Sequence, residues 1–209
     1  MKNAERFSLA ASKLIEKHGE AKTADQMAII RYGLEIIYLN VVKLLVMFLA
    51  AFFLGMLWET LVVAVVFGLL RTLASGFHAK TTWGCYLFTA VVYLGIPYVG
   101  QLMIVPKGLG LVIGVISIVI IGMYAPADTE DRPLINPKQR QNLRLKSVVA
   151  ATGLVGVGGL LTRDYTFIFC SVSMAEAVLI LPFTYKIFNR GYRNYESYEQ
   201  INRYDGSSC

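Results

Sequence analysis

The stretch Arg71-Thr-Leu-Ala-Ser-Gly-Phe-His-Ala-Lys-Thr-Thr-Trp-Gly-Cys85 separates two long apolar runs and places a histidine and a cysteine seven residues apart. It is a short, polar and glycine-containing passage at what we predict to be a membrane surface. A cysteine attacks a carbonyl as the thiolate, and a nearby histidine is a suitable base to form that thiolate. His78 and Cys85 therefore predict a nucleophile and its base.

The spacing of His78 and Cys85 requires the chain to fold back between them. On one unbroken helix the two would stand about 10 Å apart along the axis, whereas proton transfer needs roughly 3 Å. Gly76 and Gly84 loosen the backbone, and a threonine at position 81 or 82 is a suitable cap for a new helix. We predict that Cys85 lies in the first turn of that helix.

The first turn of a helix favours a thiolate because the helix dipole is positive there, and nearby Arg71 and Lys80 add to the positive field. The alternative is structural. A cysteine at the start of an apolar helix also suits a small buried hydrophobe, and a histidine in a loop is commonly only solvated. Spacing alone leaves both interpretations of His78 and Cys85 open.

The composition indicates an integral membrane protein. Of the 209 residues, 56% are hydrophobic and only 16% are charged, against about 25% charged in soluble domains. The net charge of +6 does not indicate nucleic-acid binding, because the basic residues fall between apolar runs, where an anionic membrane surface retains them. Three cysteines, one of them within an apolar run and one at the terminus, form no disulfide framework.

Apolar runs approaching the roughly 20 residues that span a bilayer recur along the chain. They predict an all-α, polytopic fold with six transmembrane helices, at about residues 34–56, 57–75, 83–105, 108–125, 147–162 and 165–188. Before them, Phe7, Ala10, Ala11, Leu14 and Ile15 recur at spacings of three and four, which predicts an N-terminal amphipathic interfacial helix.

The distribution of Lys and Arg predicts the orientation. Seventeen of the 20 lie in the segments on one side of the six spans and two on the other, which places both termini in the cytoplasm of a bacterial cell. We predict one membrane domain over residues 1–209. Its parts are a cytoplasmic amphipathic segment (1–33), the six-helix region (34–188) with its connector (71–85) and cytoplasmic loop (126–146), and a cytoplasmic tail (189–209).

Charged residues inside or near the spans need a reason, because burying them in lipid is costly. Glu35 at the start of the first span has three interpretations: it pairs with Arg71, it orients His78, or it reaches the interface. Lys43 and Glu176 are candidates for a buried pair.

The loop after the fourth span carries four basic residues that either determine topology or bind an acidic peptide. They are Lys138, Arg140, Arg144 and Lys146.

Two motifs together carry a resemblance to a known family. The connector Arg71…Ser-Gly-Phe-His78…Cys85, followed by Tyr-Ala-Pro-Ala-Asp-Thr-Glu-Asp-Arg-Pro-Leu134, resembles the accessory gene regulator B family of bacterial quorum-sensing membrane endopeptidases. The resemblance covers nearly the whole chain. It implies that His78 and Cys85 are catalytic, that Arg71 and Gly76 support them, and that Glu35 stands where some members have glutamine.

The resemblance also implies the substrate. The family processes a small autoinducing-peptide precursor, accessory gene regulator D, with an amphipathic leader and an acidic tail. The enzyme cuts off the tail through a Cys85 thioester, and an internal cysteine closes a thiolactone that regulates virulence. We expect no metal and no cofactor. The sequence does not decide whether the protein forms a homodimer. The alternative is a non-enzymatic transporter or exporter of a small peptide.

Overall fold

The computed structural model describes residues 2–18, 23–76, 82–129 and 134–196, and all regular structure in these ranges is helical. The first half contains α1 (Lys2–His18), α2 (Ala24–Phe53), α3 (Leu57–Ala74) and α4 (Thr82–Ala90), which continues through a π-helical turn (Val91–Gly95) into α5 (Ile96–Leu102). The second half contains α6 (Lys107–Tyr124), α7 (Pro137–Leu160), α8 (Arg163–Leu179) and α9 (Pro182–Ile187).

The chain divides into two compact units, Met1–Leu54 and Gly55–Cys209. The single membrane domain over residues 1–209 stays a prediction. In the first unit α1 packs against α2, and Phe7 stacks near Tyr38 with 5.1 Å between the ring centroids. The buried face of α1 is made of small residues one turn apart, Ala4, Ser8 and Ser12.

The amphipathic helix predicted at the N-terminus is confirmed as a helix, but its large apolar residues are not the ones that bury. Phe7 is 43% exposed and Leu14 is 62% exposed. The serine hydroxyls donate to carbonyls one turn back, at 3.0 Å for Ser8 and 3.1 Å for Ser12, so this small polar face packs without unsatisfied groups. The exposed apolar side chains suit a lipid interface, which stays a prediction.

Helix α8 lies at the centre of the second unit, because it packs against α3, α5, α6 and α7. Small residues allow the close approach. A Cβ at Gly114 of α6 would meet the Cys170 sulfur at 2.8 Å, and a Cβ at Gly158 of α7 would meet Phe169 at 2.6 Å. Cys170 is fully buried in this packing, as expected for a cysteine inside an apolar run.

The π-helical turn between α4 and α5 has an identifiable cause. Pro97 has no N–H to donate to the carbonyl of Tyr93, four residues earlier. The hydroxyl of Thr60 on α3 donates to that carbonyl instead, at 3.1 Å, and Thr60 is completely buried. This bond satisfies a backbone group that lipid would leave without a partner, so it ties the irregular third span to α3.

The all-helical membrane class is confirmed, and the count of six spans is not. Within the described ranges, five helices are long and apolar enough to cross a membrane: Ala24–Phe53, Leu57–Ala74, Trp83–Leu102, Lys107–Tyr124 and Pro137–Leu160. The run predicted at 165–188 is interrupted, because Leu181 is extended ahead of Pro182 and separates α8 from α9. The 17 residues of α8 extend only about 26 Å.

Candidate active site

The connector leaves α3 through two residues with positive φ. Ser75 has φ 61° and Gly76 has φ 109°, which end the helix at Ala74. The helix of Arg71 therefore does not continue towards Cys85. This agrees with the argument that one unbroken helix would hold His78 and Cys85 too far apart. Gly84, which we expected to loosen the backbone, lies inside α4 instead.

The two sequence motifs meet through their backbones. The Gly76 N–H donates to the Ala127 carbonyl at 2.9 Å, and the Ala127 N–H donates to the Ala74 carbonyl at 3.0 Å. Ser75 and Ala127 thus form an isolated parallel bridge. The motif that starts at Arg71 and the Tyr-Ala-Pro-Ala-Asp motif are therefore parts of one structural feature.

The Arg71 side chain holds the turn that follows its own helix. Its Nη1 donates to the Ser75 carbonyl at 2.8 Å, and its Nη2 donates to the Gly76 carbonyl at 3.1 Å. A guanidinium suits this arrangement because it presents several donors in one plane. Nη1 also lies 3.6 Å from the carboxylate of Glu176.

Gly76 is required by space as well as by backbone conformation. A Cβ at this position would stand 2.8 Å from Nη1 of Arg71 and 2.9 Å from a methyl group of Ile180. Gly76 is itself buried. A side chain here would displace the guanidinium from the turn that it holds.

Asp128 fastens the C-terminal segment to the second motif. Its carboxylate accepts hydrogen bonds from the backbone N–H groups of Asn194 at 3.1 Å and Tyr195 at 2.9 Å. The phenol of Tyr185 donates to the Asp128 carbonyl at 3.0 Å. Asp128 is only 3% exposed, so these hydrogen bonds satisfy carboxylate oxygens that burial removes from water. We placed Asp128 in the second motif but did not predict its contacts with the tail.

Cys85 is the fourth residue of α4, which confirms its predicted place in the first turn. It is half-buried, and its carbonyl accepts a hydrogen bond from Thr89 at 2.8 Å. His78 and Lys80 lie outside the described residues. Six residues span at most about 22 Å, so Thr82 must lie within that distance of Gly76. Glu35 is half-buried on α2, in the first unit.

The four basic residues that the sequence places in a loop lie on the first turns of α7, where Asn136 caps the helix by accepting from the backbone N–H of Lys138 at 3.0 Å. Arg140 donates to the Leu134 carbonyl at 2.9 Å and lies 3.9 Å from the Tyr195 ring centroid. Arg144 donates to the Gly122 carbonyl at 2.8 Å. These two arginines thus have structural contacts, whereas the side chains of Lys138 and Lys146 are exposed.

A groove of about 390 Å³ lies between these arginines and the tail. Its charged and aromatic lining is Tyr124, Asp128, Arg140, Arg144, Tyr192, Arg193 and Tyr195. Burial raises the pKa of Tyr192, and a hydrogen bond with Arg193 opposes that shift. The phenol is therefore neutral at pH 7, and the arginines dominate the charge of the groove. Among the described residues, no three His, Cys, Asp or Glu side chains are grouped to hold a metal ion.

Comparison with known proteins gives the family. The family model described as accessory gene regulator B matches residues 8–183. A putative AgrB-like protein of Listeria monocytogenes is 34% identical, over 81% of this chain and 84% of its own. One from Clostridium acetobutylicum is 30% identical over 94% of both chains. The accessory gene regulator protein B of Staphylococcus intermedius is 28% identical, over 75% of this chain and 84% of its own. No solved structure matches. Because the family model matches most of the chain, this chain belongs to the accessory gene regulator B family.

Proposed function

We propose that the protein is a membrane cysteine endopeptidase that removes the acidic tail from a small autoinducing-peptide precursor. Family membership supports a role in the accessory gene regulator quorum-sensing system. The observation that carries the enzymatic proposal is the position of the Cys85 thiol in the first turn of α4, directly after the connector that Arg71 holds. Cys85 is the fourth described residue of α4, and a helix dipole favours a thiolate in the first turn.

The proposed chemistry uses His78 as the base and Cys85 as the nucleophile. The Cys85 thiolate attacks the carbonyl at the C-terminal end of the signal segment, and the C–N bond of the resulting intermediate breaks. Protonated His78 gives its proton to the leaving amine, which departs with the acidic tail. The products are the free tail and a thioester that joins the rest of the precursor to Cys85.

The second half of the reaction exchanges one thioester for another. The thiolate of the precursor's internal cysteine attacks the acyl carbon, the bond to the Cys85 sulfur breaks, and a thiolactone ring leaves the enzyme. Because a thioester replaces a thioester, the step needs no energy source, but it requires that water does not reach the acyl carbon first. Membrane burial of the second unit suits that requirement.

The acyl-enzyme is the species that separates this proposal from a peptide transporter. With protein in liposomes and a precursor whose internal cysteine is replaced by alanine, ring closure is blocked. We expect the thioester to accumulate on Cys85, with a mass increase equal to the precursor without its tail, and to disappear with hydroxylamine. Intact-protein mass spectrometry after an acid quench measures it. Transport of uncut precursor without any adduct would instead establish the transporter.

The proposed orientation places both termini and the connector in the cytoplasm, as the Lys and Arg distribution favours. In a variant without other cysteines, we expect a cysteine at Lys107 to react with an impermeant thiol reagent added to intact cells. A cysteine at Lys138 should react only after the cells are opened. Reaction of the Lys138 position from outside would reverse the orientation.

The proposed docking of the acidic tail falls mainly on Lys138 and Lys146, because Arg140 and Arg144 already hold carbonyls of the protein. Exposed charge contacts contribute little each and are screened by salt. We expect the double change Lys138→Gln and Lys146→Gln to raise KM about threefold, to weaken its salt dependence and to leave kcat unchanged. Lys107→Gln, which removes the same charge from the predicted opposite face, is the control. An unchanged KM in the double variant would exclude docking there.

A further inference from the structure

Glu176 is a buried charged residue that the proposed chemistry does not use. It lies on α8, and its side chain is completely buried. Neither carboxylate oxygen accepts a hydrogen bond from the part of the chain that the structure describes. A buried carboxylate in this situation is strongly destabilising unless an opposite charge lies nearby.

The opposite charge comes from Arg71, on α3. Its Nη1 is 3.6 Å from Oε1 of Glu176, a distance too long for a good hydrogen bond but short enough for strong attraction in a buried setting. The same nitrogen donates to the Ser75 carbonyl, and Nη2 donates to the Gly76 carbonyl. The guanidinium therefore lies between the Glu176 carboxyl group on α8 and two carbonyls of the turn.

Arg71 and Glu176 lie on two helices that pack against each other. Helices α3 and α8 are in contact, and Leu70 and Ala177 beside the pair are both fully buried. Ile180, just beyond α8, closes the other side of Gly76. Loss of the charge on Glu176 would release the guanidinium, and the guanidinium would then no longer hold the two carbonyls in place.

We propose that Glu176 is a positioning residue for the active site: by attracting Arg71 it fixes the turn at Ser75 and Gly76, the point from which the chain continues to His78 and Cys85. The inference rests on the proposed function, because it needs His78 to act on Cys85. Glu176 itself touches no reacting atom. Its effect on the reaction passes through Arg71 and the backbone.

A double-mutant cycle read at the Cys85 thiol tests the inference. Iodoacetamide alkylation at pH 7, followed for each cysteine by peptide mass spectrometry, reports thiolate formation at Cys85. We expect His78→Ala and Glu176→Gln each to slow alkylation of Cys85 about tenfold. The double variant should be no slower than His78→Ala alone, because both changes remove one effect. A structural role for Glu176 would give independent effects that multiply.

Three controls keep the outcomes distinct. Ser173→Ala removes another buried polar group from α8, a hydroxyl that donates to the Phe169 carbonyl of the same helix at 2.8 Å. Cys85 in this variant should be alkylated at the wild-type rate. Glu176→Asp keeps the charge and should stay within about twofold of wild type, because attraction rather than a hydrogen bond holds Arg71. Cys170, buried against α6, should stay unreactive throughout.

The contrary results distinguish failure of the positioning proposal from failure of the peptidase proposal. A Cys85 rate that is unchanged in Glu176→Gln, or effects that multiply with His78→Ala, would refute positioning and leave the peptidase proposal intact. Reactive Cys170 in Glu176→Gln would show that Glu176 stabilises α8 rather than the turn, which also refutes positioning. No effect of His78→Ala on either alkylation or cleavage would instead refute the proposed function.

Discussion

Cys85→Ala is expected to lower precursor cleavage at least about 1,000-fold, the scale seen when an enzyme loses its covalent nucleophile. The variant keeps the Cβ of the Cys85 side chain on α4 but offers no sulfur that can form the thioester. Precursor affinity should be unchanged, because the variant keeps the residues proposed to dock the acidic tail, Lys138 and Lys146. Release of the tail from labelled precursor in proteoliposomes, at saturating precursor, measures the effect.

Cys170 provides the matched control for the loss of a thiol. Cys170→Ala removes a sulfur that packs against Gly114, in the middle of the helix contacts rather than at the connector. We expect that variant to lose some stability, because it leaves a small cavity, while its cleavage rate stays within a few-fold of wild type. Cleavage that persists in Cys85→Ala would remove the thiol mechanism and favour the transporter.

Local features of the fold were predictable from the sequence. The apolar runs predict the five helices that can span a membrane, but α2 and α7 begin about ten residues before the predicted spans at 34 and 147. Pro137 is the first residue of α7. The break after Ala74 follows from Gly76, and the place of Cys85 follows from the need to fold back. Each of these depends on residues close together in sequence, where helix propensity and backbone freedom decide the outcome.

Long-range contacts were not predictable in the same way. We considered Lys43 as the partner of Glu176, yet the structure places Glu176 beside Arg71, 105 positions earlier in the chain. That pairing depends on which faces of α3 and α8 meet, and apolar periodicity does not fix the match. The bridge between Ser75 and Ala127 and the contact of Asp128 with Tyr195 have the same origin.

One error had a signal in the sequence. The run from 165 to 188 was predicted as a single span although Pro182 lies within it, and a residue before proline avoids the helical conformation. Leu181 accordingly has φ −67° and ψ 140°, and the helix ends at Leu179. The break has a consequence for the site, because it places Ile180 against Gly76 and brings Tyr185 to Asp128.

The tightest point of this arrangement is Gly76, so Gly76→Ala is expected to have the largest effect of any change that removes no reacting group. An alanine at φ 109° is strained by about 1–3 kcal/mol, and its Cβ would overlap the Arg71 guanidinium. We expect cleavage to fall about 100-fold or more, with Cys85 alkylation slowed as in Glu176→Gln.

Gly68 gives the matched substitution, because it lies on α3, eight residues before Gly76, and a Cβ there would meet no described atom outside its own helix backbone within 4 Å. Gly68→Ala should leave cleavage unchanged and slightly stabilise α3, since alanine favours a helix by up to about 1 kcal/mol over glycine. Both variants should keep Cys170 unreactive, which separates a displaced turn from an unfolded protein. If Gly76→Ala cleaves precursor as fast as Gly68→Ala, then the turn that Arg71 holds does not position the site, and the contact between the two motifs would serve stability alone.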